Sequence, residues 1–521
     1  MTGGPATDLL EELVHQFSDP FAFYRELIQN SIDSGSTRIE VVVAYQSAKK
    51  QGLATATVTD WGEGMNRKVI EDYLLTKFRS SKEHDLTKIG KFGIGFVSVF
   101  SCAPDAVVVD TGRDGEFWRV LFKKDRSYEL LALDQPVEGT RITLHKRMGV
   151  AQYEEFAQKS AESVKRWCRH SEADIAFVAG KADGSAPPEP AAVNEPFVVD
   201  APFQVEHREE GTLIVAGVAR KLPATSGLYN RGLTLLETTE PLVPGVAIKI
   251  VSRWLEHTLT RDNVRRDKNF EKAIAQAAKL AKGALREKLP EELRRCAADP
   301  QGAADWQALF RYAIETIGLE NTWIRQPGGG AIAGAKLEKC LKAHKALFIS
   351  DQSTPLVARL IASGVPVIEG VASSPWIARL VRATTFQLCV ADEHWIHAEP
   401  SPIPREPAFC AALLAALKLV EARPREVVVT RLFGATGPSP IVLVDEPGRP
   451  ERKARALSSP FTAGGPKVLV VDPAHPELAP VAALLERAPR LAALLVARRI
   501  TVAAGALDPA RDWALTKWAL A

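Results

Sequence analysis

The chain has 521 residues, 46% hydrophobic and 25% charged, long enough for three or more globular domains. Its 66 basic and 63 acidic residues give a formal net charge of +3, so no nucleic-acid partner is expected on electrostatic grounds. The six cysteines (Cys102, Cys168, Cys296, Cys340, Cys389, Cys410) show neither metal-ligand spacing nor a disulfide framework. No basic segment followed by an apolar core opens the chain, and no run of 18 apolar residues occurs, so a cytoplasmic protein without membrane contact is expected.

In chain order, residues 25 to 35 (Arg-Glu-Leu-Ile-Gln-Asn-Ser-Ile-Asp-Ser-Gly) read as a helix. Glu26, Asn30 and Asp33 fall at i, i+4 and i+7 on one face, while Tyr24, Leu27, Ile28 and Ile32 can pack elsewhere. Such a stripe is either a solvated helix face or a site. The runs Ile39 to Tyr45 and Ala54 to Thr59 read as neighbouring strands, with Asp60 at a strand end. Gly62 and Gly64 then free the backbone for an approach that a Cβ would block, although an ordinary Asp-x-Gly turn has the same string.

The polar stretch Arg79 to Asp85 is either a lid, with Lys82 as a phosphate contact, or an exposed loop without that duty. Gly90-Lys91-Phe92-Gly93-Ile94-Gly95-Phe96, ahead of the apolar run Val97 to Phe100, can offer backbone N–H groups to phosphates at a helix start. It fits neither a dinucleotide fingerprint inside a βαβ unit nor a Gly-Lys-Ser/Thr loop. Gly139-Thr140-Arg141-Ile142-Thr143-Leu144 opens a strand with a hydroxyl.

Glu-x-x-x-Asn-x-x-Asp, Asp-x-Gly-x-Gly-Met, Gly-x-x-Gly-x-Gly and Gly-Thr, in this order, resemble the nucleotide-binding boxes of the GHKL ATPase superfamily. The resemblance implies a Bergerat-type α/β sandwich that binds ATP and Mg²⁺. Asn30 would hold the metal, Asp60 would read the adenine amino group, Met65 would line the base pocket and Thr140 would support it. Gly90, Gly93 and Gly95 would wrap the phosphates. Asp33, Gly62, Gly64, Phe92, Ile94 and Phe96 complete the cofactor-binding set. Glu26, four residues before the metal-binding amide, would orient water as a general base. A histidine kinase is not expected, since no phosphoacceptor helix fits into the first 20 residues.

Within that superfamily the later chain resembles the 90-kilodalton heat-shock chaperones, in its bacterial form. Residues 140 to 180 resemble that family's exit from the nucleotide domain. Leu228 to Leu235 and Pro241 to Pro244 resemble a middle-domain strand and loop. Thr260-Arg261-Asp262 resembles the family's Ser-Arg-Glu loop, so Arg261 would reach the γ-phosphate, a role worth on the order of 10³-fold in rate. A solvated basic patch is the other reading, because Arg265, Arg266 and Lys268 crowd the segment. Two departures stand out: Arg265 and Arg266 replace the family's polar amides, and the lid is short.

Ala346 to Ser350, Pro355 to Val357 and Gly364 to Ile368 read as strand, helix, strand. Val427 to Leu432, Ile441 to Val444 and Lys467 to Asp472 resemble the family's C-terminal strands, with Asp472 in place of an amide before the His-Pro turn. Val481 to Val496, broken or kinked near Pro489, and Asp508 to Leu520 read as apolar-faced helices, forming either a dimer seam or a monomeric cap.

The expected fold is therefore α/β (α+β): an ATP-binding sandwich over 1–150, an α/β middle domain over 151–400 and a small mixed α/β dimerisation domain over 401–521. Gly180 to Glu195 is expected as a surface loop of the second domain, Gln326 to Gly330 as a break in a helical region, and Pro400 to Pro407 as the entry to the third. The expected function is an ATP-hydrolysing chaperone with client proteins and a homodimer cycle. A MutL- or MORC-like DNA-linked ATPase, or a nucleotide-switched scaffold without turnover, is the alternative.

Overall fold

Alternation of small and β-branched residues through 38–60 builds the first layer. In the computed structural model, which describes residues 19–48, 51–75, 94–183, 185, 187–258, 263–400, 406–434, 439–453, 461 and 467–521, the helix α1 (Phe23–Asp33) precedes strands β1 (Arg38–Gln46) and β2 (Gly52–Asp60). The two strands pair antiparallel, with Ile39 opposite Asp60. Ile39, Val41 and Val43 on one strand and Ala54, Ala56 and Val58 on the other are buried, as the period of two demands.

Strands β3 (Ala106–Arg113), β4 (Glu116–Lys123), β5 (Tyr128–Ala132) and β6 (Thr140–Met148) extend this layer, followed by helix α2 (Val150–Cys168), β7 (Asp174–Ala179) and β8 (Ala191–Ala192). The eight-stranded sheet has the order β5-β4-β3-β6-β2-β1-β7-β8, antiparallel except where β7 runs parallel to β1. The sheet thus continues past residue 150, and the Gly180 to Glu195 segment ends on its edge strand. Local pattern could not show this, because the β1–β7 pairing joins residues far apart in the chain. Helices α1 and α2 cover one face. Leu27, Ile28 and Ile32 of α1 and Val164 and Cys168 of α2 share a core with Val41, Val58, Val109 and Leu144.

The apolar run after the glycine string forms a short helix, Ile94–Val97, and a tight helical turn, Ser98–Cys102. Phe96 and Phe100 place their ring centroids 5.3 and 6.0 Å from that of Phe122 on β4. This aromatic cluster ties the segment to the sheet.

A second sheet follows, of β9 (Val205–Glu209), β10 (Thr212–Val218), β11 (Ser226–Asn230), β12 (Leu233–Thr238) and β13 (Val246–Ser252), ordered β12-β11-β13-β10-β9. The strand expected over 228–235 is the β11–β12 hairpin, turning at Arg231 and Gly232. The Thr234 hydroxyl donates to the Arg166 carbonyl (2.9 Å), and the Glu172 N–H donates to the Arg231 carbonyl (3.2 Å). Helix α3 (Lys268–Leu280), capped by Asp267, closes this unit, which ends at Leu285.

The second compact unit spans 286–521. Helices α4 (Arg286–Ala298) and α5 (Ala303–Thr316) lead to the hairpin β14 (Trp323–Gln326) and β15 (Gly330–Ala333). Gln326 to Gly330 is therefore a hairpin turn rather than a simple helix break; Gly328 and Gly329 both adopt φ of +86° there, a region open to glycine. After α6 (Gly334–His344), the expected strand–helix–strand is present as β16 (Ala346–Ser350), α7 (Pro355–Ala362) and β17 (Val367–Glu369). With α8 (Pro375–Thr384) and β18 (Gln387–Val390) it makes a sheet in which β16 is parallel to both neighbours.

Beyond it come β19 (Trp395–Ala398), α9 (Pro407–Leu419), β20 (Glu426–Val429), β21 (Leu432–Gly434), β22 (Ile441–Val444), β23 (Glu451–Arg452) and β24 (Val468–Val471). The C-terminal helices are α10 (Pro489–Ala503) and α11 (Pro509–Leu520). Pro489 starts α10, so of the two readings the run is broken there rather than kinked; a first-turn proline gives up no intrahelical N–H bond. Among the described residues no helix is long and apolar enough to cross a membrane.

Phe122 is fully buried between the sheet and the Phe96–Phe100 segment. Phe122→Ala should cost about 3–5 kcal/mol. An urea-unfolding midpoint unchanged by the substitution would contradict this packing.

Candidate functional site

The stripe on α1 passes from inside to outside. Glu26 is 2% exposed, Asn30 is half-buried one turn later, and Asp33 lies at the solvent end. A solvated face would be exposed along its length, whereas here the Glu26 end of the stripe faces the interior. Arg25 beside Glu26 is 3% exposed and places its guanidinium 5.0 Å from the Trp167 ring. Burial holds Arg25 down at about 10. At the far end, the Arg231 guanidinium donates to Asp33 at 2.9 Å.

Asp60 is the centre of the arrangement. It is 6% exposed at the end of β2, yet it is well supplied with donors. The Ser31 hydroxyl donates to Oδ2 at 2.9 Å, and the N–H groups of Gly62 and Thr140 donate to Oδ1 at 2.9 and 3.3 Å. Burial pushes its carboxyl above the ordinary range, and these three hydrogen bonds oppose that shift. Ser31 belongs to α1, Gly62 to the turn and Thr140 to β6, so three elements converge on one carboxylate.

Behind it runs a hydroxyl relay. Thr140 Oγ1 lies 3.0 Å from Thr111 Oγ1, and Thr111 also contacts the Gly139 carbonyl (3.1 Å) and accepts from the Met65 N–H (2.9 Å). Met65 itself packs against the core. Sequence reading missed both Ser31 and Thr111. The signal for Thr111 was available: it continues the inward stripe Val107, Val109, all three fully buried.

The glycines of the second box have a local reason. Gly64 has φ of +64°, and a Cβ there would stand 2.1 Å from the Gly112 carbonyl oxygen. A Cβ on Gly62 would stand 2.1 Å from Ser34 Oγ. The close approach foreseen from sequence is thus made by the protein's own backbone and side chains. In the third box, the Gly95 carbonyl accepts from the Ser98 hydroxyl (2.5 Å), and Phe96 is 5% exposed inside the core. Ile94 starts the short helix. Lys82, Gly90, Phe92 and Gly93 lie outside the described residues, as does Arg261.

The segment on either side of Arg261 is described. His257 and Val264 form an antiparallel bridge, and Val264 is buried. The His257 imidazole is held below its ordinary range first by burial and then by the nearby Arg25 cation.

Here a helix wall of the α/β sandwich meets a buried strand-end carboxylate, with a glycine turn and a hydroxyl behind it. Residues 22–135 match the family described as histidine kinase-, DNA gyrase B- and HSP90-like ATPase, and this region belongs to it. The chain is also similar to the chaperone protein HtpG of Methylococcus capsulatus, 31% identical over 173 residues (27% of this chain, 26% of the relative). The HtpG chaperones of Rhodopseudomonas palustris, 32% identical over 181 residues (29% of each chain), and Actinobacillus pleuropneumoniae, 31% over 169 residues (27% of this chain, 26% of the relative), are similar to it too. The matched region is thus similar to HtpG chaperones, and the chain spans about a quarter of the length of the curated relatives it matches.

Asp60→Asn should separate stability from binding. Asparagine can still accept from Gly62 and Thr140 and can donate to Ser31, whose hydroxyl lies 3.0 Å from the Leu27 carbonyl and can turn to it. A carboxyl raised in the folded state contributes stability below its unfolded value and loses it as pH rises through the folded value. The variant should therefore melt no lower than wild type near neutral pH, with any gain shrinking toward acid, while nucleotide affinity falls at least about tenfold. Calorimetry across pH checks the first part and titration with ATP the second.

Proposed function

We propose that this protein is an ATP-dependent chaperone of the heat-shock protein 90 type. In this reading it hydrolyses ATP to drive an open and closed cycle of a homodimer that remodels or stabilises client proteins. The observation that carries it is the buried Asp60 carboxylate, gathered by α1, the glycine turn and β6 next to the helix bearing Glu26 and Asn30. A deep acceptor of that kind suits an exocyclic amino group such as that of adenine.

Each residue then has a part. Asp60 and Thr140 would read the base, and Met65 would line its pocket. Asn30 would offer its amide oxygen, a hard donor that suits Mg²⁺, which when bound offsets charge on the phosphates. Backbone N–H groups at Gly90, Gly93 and Gly95 would hold the phosphates beside a helix start. Glu26, nearly enclosed, would orient a water and accept its proton. Arg261 would meet the γ-phosphate, as the resemblance of Thr260-Arg261-Asp262 to the Ser-Arg-Glu loop implies. ATP would favour one conformer over the other by binding it more tightly, so turnover resets the equilibrium.

Steady-state ATP hydrolysis by wild type, Glu26→Ala and Arg261→Ala, with binding measured in each, tests the reading. Slow turnover is expected in wild type. Glu26→Ala should bind ATP without hydrolysing it, and Arg261→Ala should lose most of the rate, on the order of 10³-fold. Binding without turnover in wild type would favour a nucleotide-switched scaffold instead.

The homodimer part is supported by the C-terminal helices. Leu491, Leu495 and Val502 on α10 and Trp513 and Leu520 on α11 are exposed, with Trp513 at 67% and Leu520 at 84%. Spacings of four and seven residues keep each set close to one helix face. A second copy of α10 and α11 would bury them. Leu495→Glu with Trp513→Glu should convert a dimer to a monomer in sedimentation, and a wild-type protein that sediments as a monomer would remove this part of the proposal.

A further inference from the structure

The two sheets of the first unit meet around the imidazole of His170, 9% exposed just beyond the end of α2. Its Nδ1 lies 3.1 Å from the Glu195 carbonyl oxygen, and its Nε2 lies 2.8 Å from Lys249 Nζ on β13. The carbonyl can only accept, so Nδ1 carries the ring hydrogen and Nε2 is left to accept from Lys249. Phe197 and Tyr229 stand edge-on to the imidazole, each with its ring centroid 5.1 Å away, and wall it in. Glu195 belongs to the first layer, because its N–H donates to the Arg169 carbonyl (2.6 Å) and the neighbouring Asn194 amide donates to the Ser171 and Ala173 carbonyls (3.0 Å each). Lys249 belongs to the second sheet. The imidazole therefore spans the join. The β11–β12 turn is seated on the same residue: a Cβ on Gly232 would stand 1.7 Å from the His170 carbonyl oxygen.

The charges around this ring decide what a proton would do. On β12, Glu237 accepts from the Tyr229 hydroxyl of β11 (2.6 Å) and from the Arg169 guanidinium. The Glu195 carboxylate pairs with Lys165 of α2 at 2.9 Å. Both nearby carboxylates thus have a cation of their own, and Lys249 faces the imidazole. Whichever of His170 and Lys249 holds the first proton, a second one sets two donors and two cations against each other at 2.8 Å. We propose that the His170–Lys249 contact is a proton-operated latch: it holds the second sheet against the end of α2 near neutral pH and releases it in mild acid. Burial, and then the Lys249 cation, keep the His170 imidazole below its ordinary range. An imidazole lowered in the closed form and ordinary in the open one gains a proton on opening. The closed form therefore loses stability as pH falls through the ordinary histidine value, down to the lowered one.

The junction needs no nucleotide to respond, so the test uses the full chain alone. The reporter is the Glu172 amide, whose N–H donates to the Arg231 carbonyl across the join (3.2 Å). Its hydrogen-exchange protection, corrected for the intrinsic rate, should fall at least about tenfold from about pH 7.5 to about pH 5.5, the factor that one unit of imidazole shift supplies. His170→Gln keeps an acceptor toward Lys249 but gains no proton, so its protection should hold over that range. Lys249→Met removes the facing cation, so the acid loss should shrink. Wild-type protection that stays flat with pH, or an equal loss in His170→Gln, would overturn the latch. Should His170→Gln already be unprotected near neutral pH, the wild-type imidazole is titrated by NMR in its place. A midpoint below that of an ordinary histidine is then expected, and one at or above it overturns the inference.

Discussion

The N-terminal layer is organised around one constraint: a carboxylate has been taken out of water at the end of a strand and must be given donors. Burying a charge without partners is costly, and each unpaired buried polar group adds its own penalty. Asp60 obtains donors from a helix side chain, a turn amide and a strand amide. Those donors coincide only if α1 packs across β2 and if β2 holds its register between β1 and β6, with Asp60 opposite Ile39 on one side and Thr140 on the other. A slip by one residue would turn Asp60 to the wrong face and strand all three donors.

The tight backbone of the second box follows from the same demand. The turn from Asp60 to Met65 has to double back so that Gly62 reaches the carboxylate and Met65 reaches Thr111. That path brings Gly64 against the Gly112 carbonyl in a left-handed conformation, where a Cβ would collide. The glycine spacing is therefore a requirement of the protein's own packing before any ligand is considered. The same holds for Phe96, whose ring anchors the segment after the third box to Phe122 while its backbone stays at the helix start.

The second sheet is fastened to this layer along the ends of α1 and α2. Thr234 holds Arg166, the β11–β12 turn meets Glu172, and Arg231 pairs with Asp33. The Arg231–Asp33 pair is partly exposed, so its energetic contribution is small, and its main effect is to occupy a carboxylate at the outer end of the stripe.

Much of this was legible in the residues. Period-two alternation located β1 and β2, the i, i+4, i+7 stripe located α1, and the order of the glycine and acidic boxes indicated the nucleotide-binding class, because these signals are local and repeat the geometry of the element that carries them. Strand, helix and strand over 346–369 were readable for the same reason. What the sequence by itself determined was the element types, the candidate Asp60 and the class of site. Only the tertiary structure decided that the sheet extends to β7 through a parallel pairing with β1, that Ser31 and Thr111 belong with Asp60, and that the glycines serve the backbone's own contacts. The physical reason is distance along the chain: Ser31, Asp60, Thr111 and Thr140 come from four separate elements, and nothing short of the packed sandwich links them by hydrogen bonds of 2.9 to 3.3 Å.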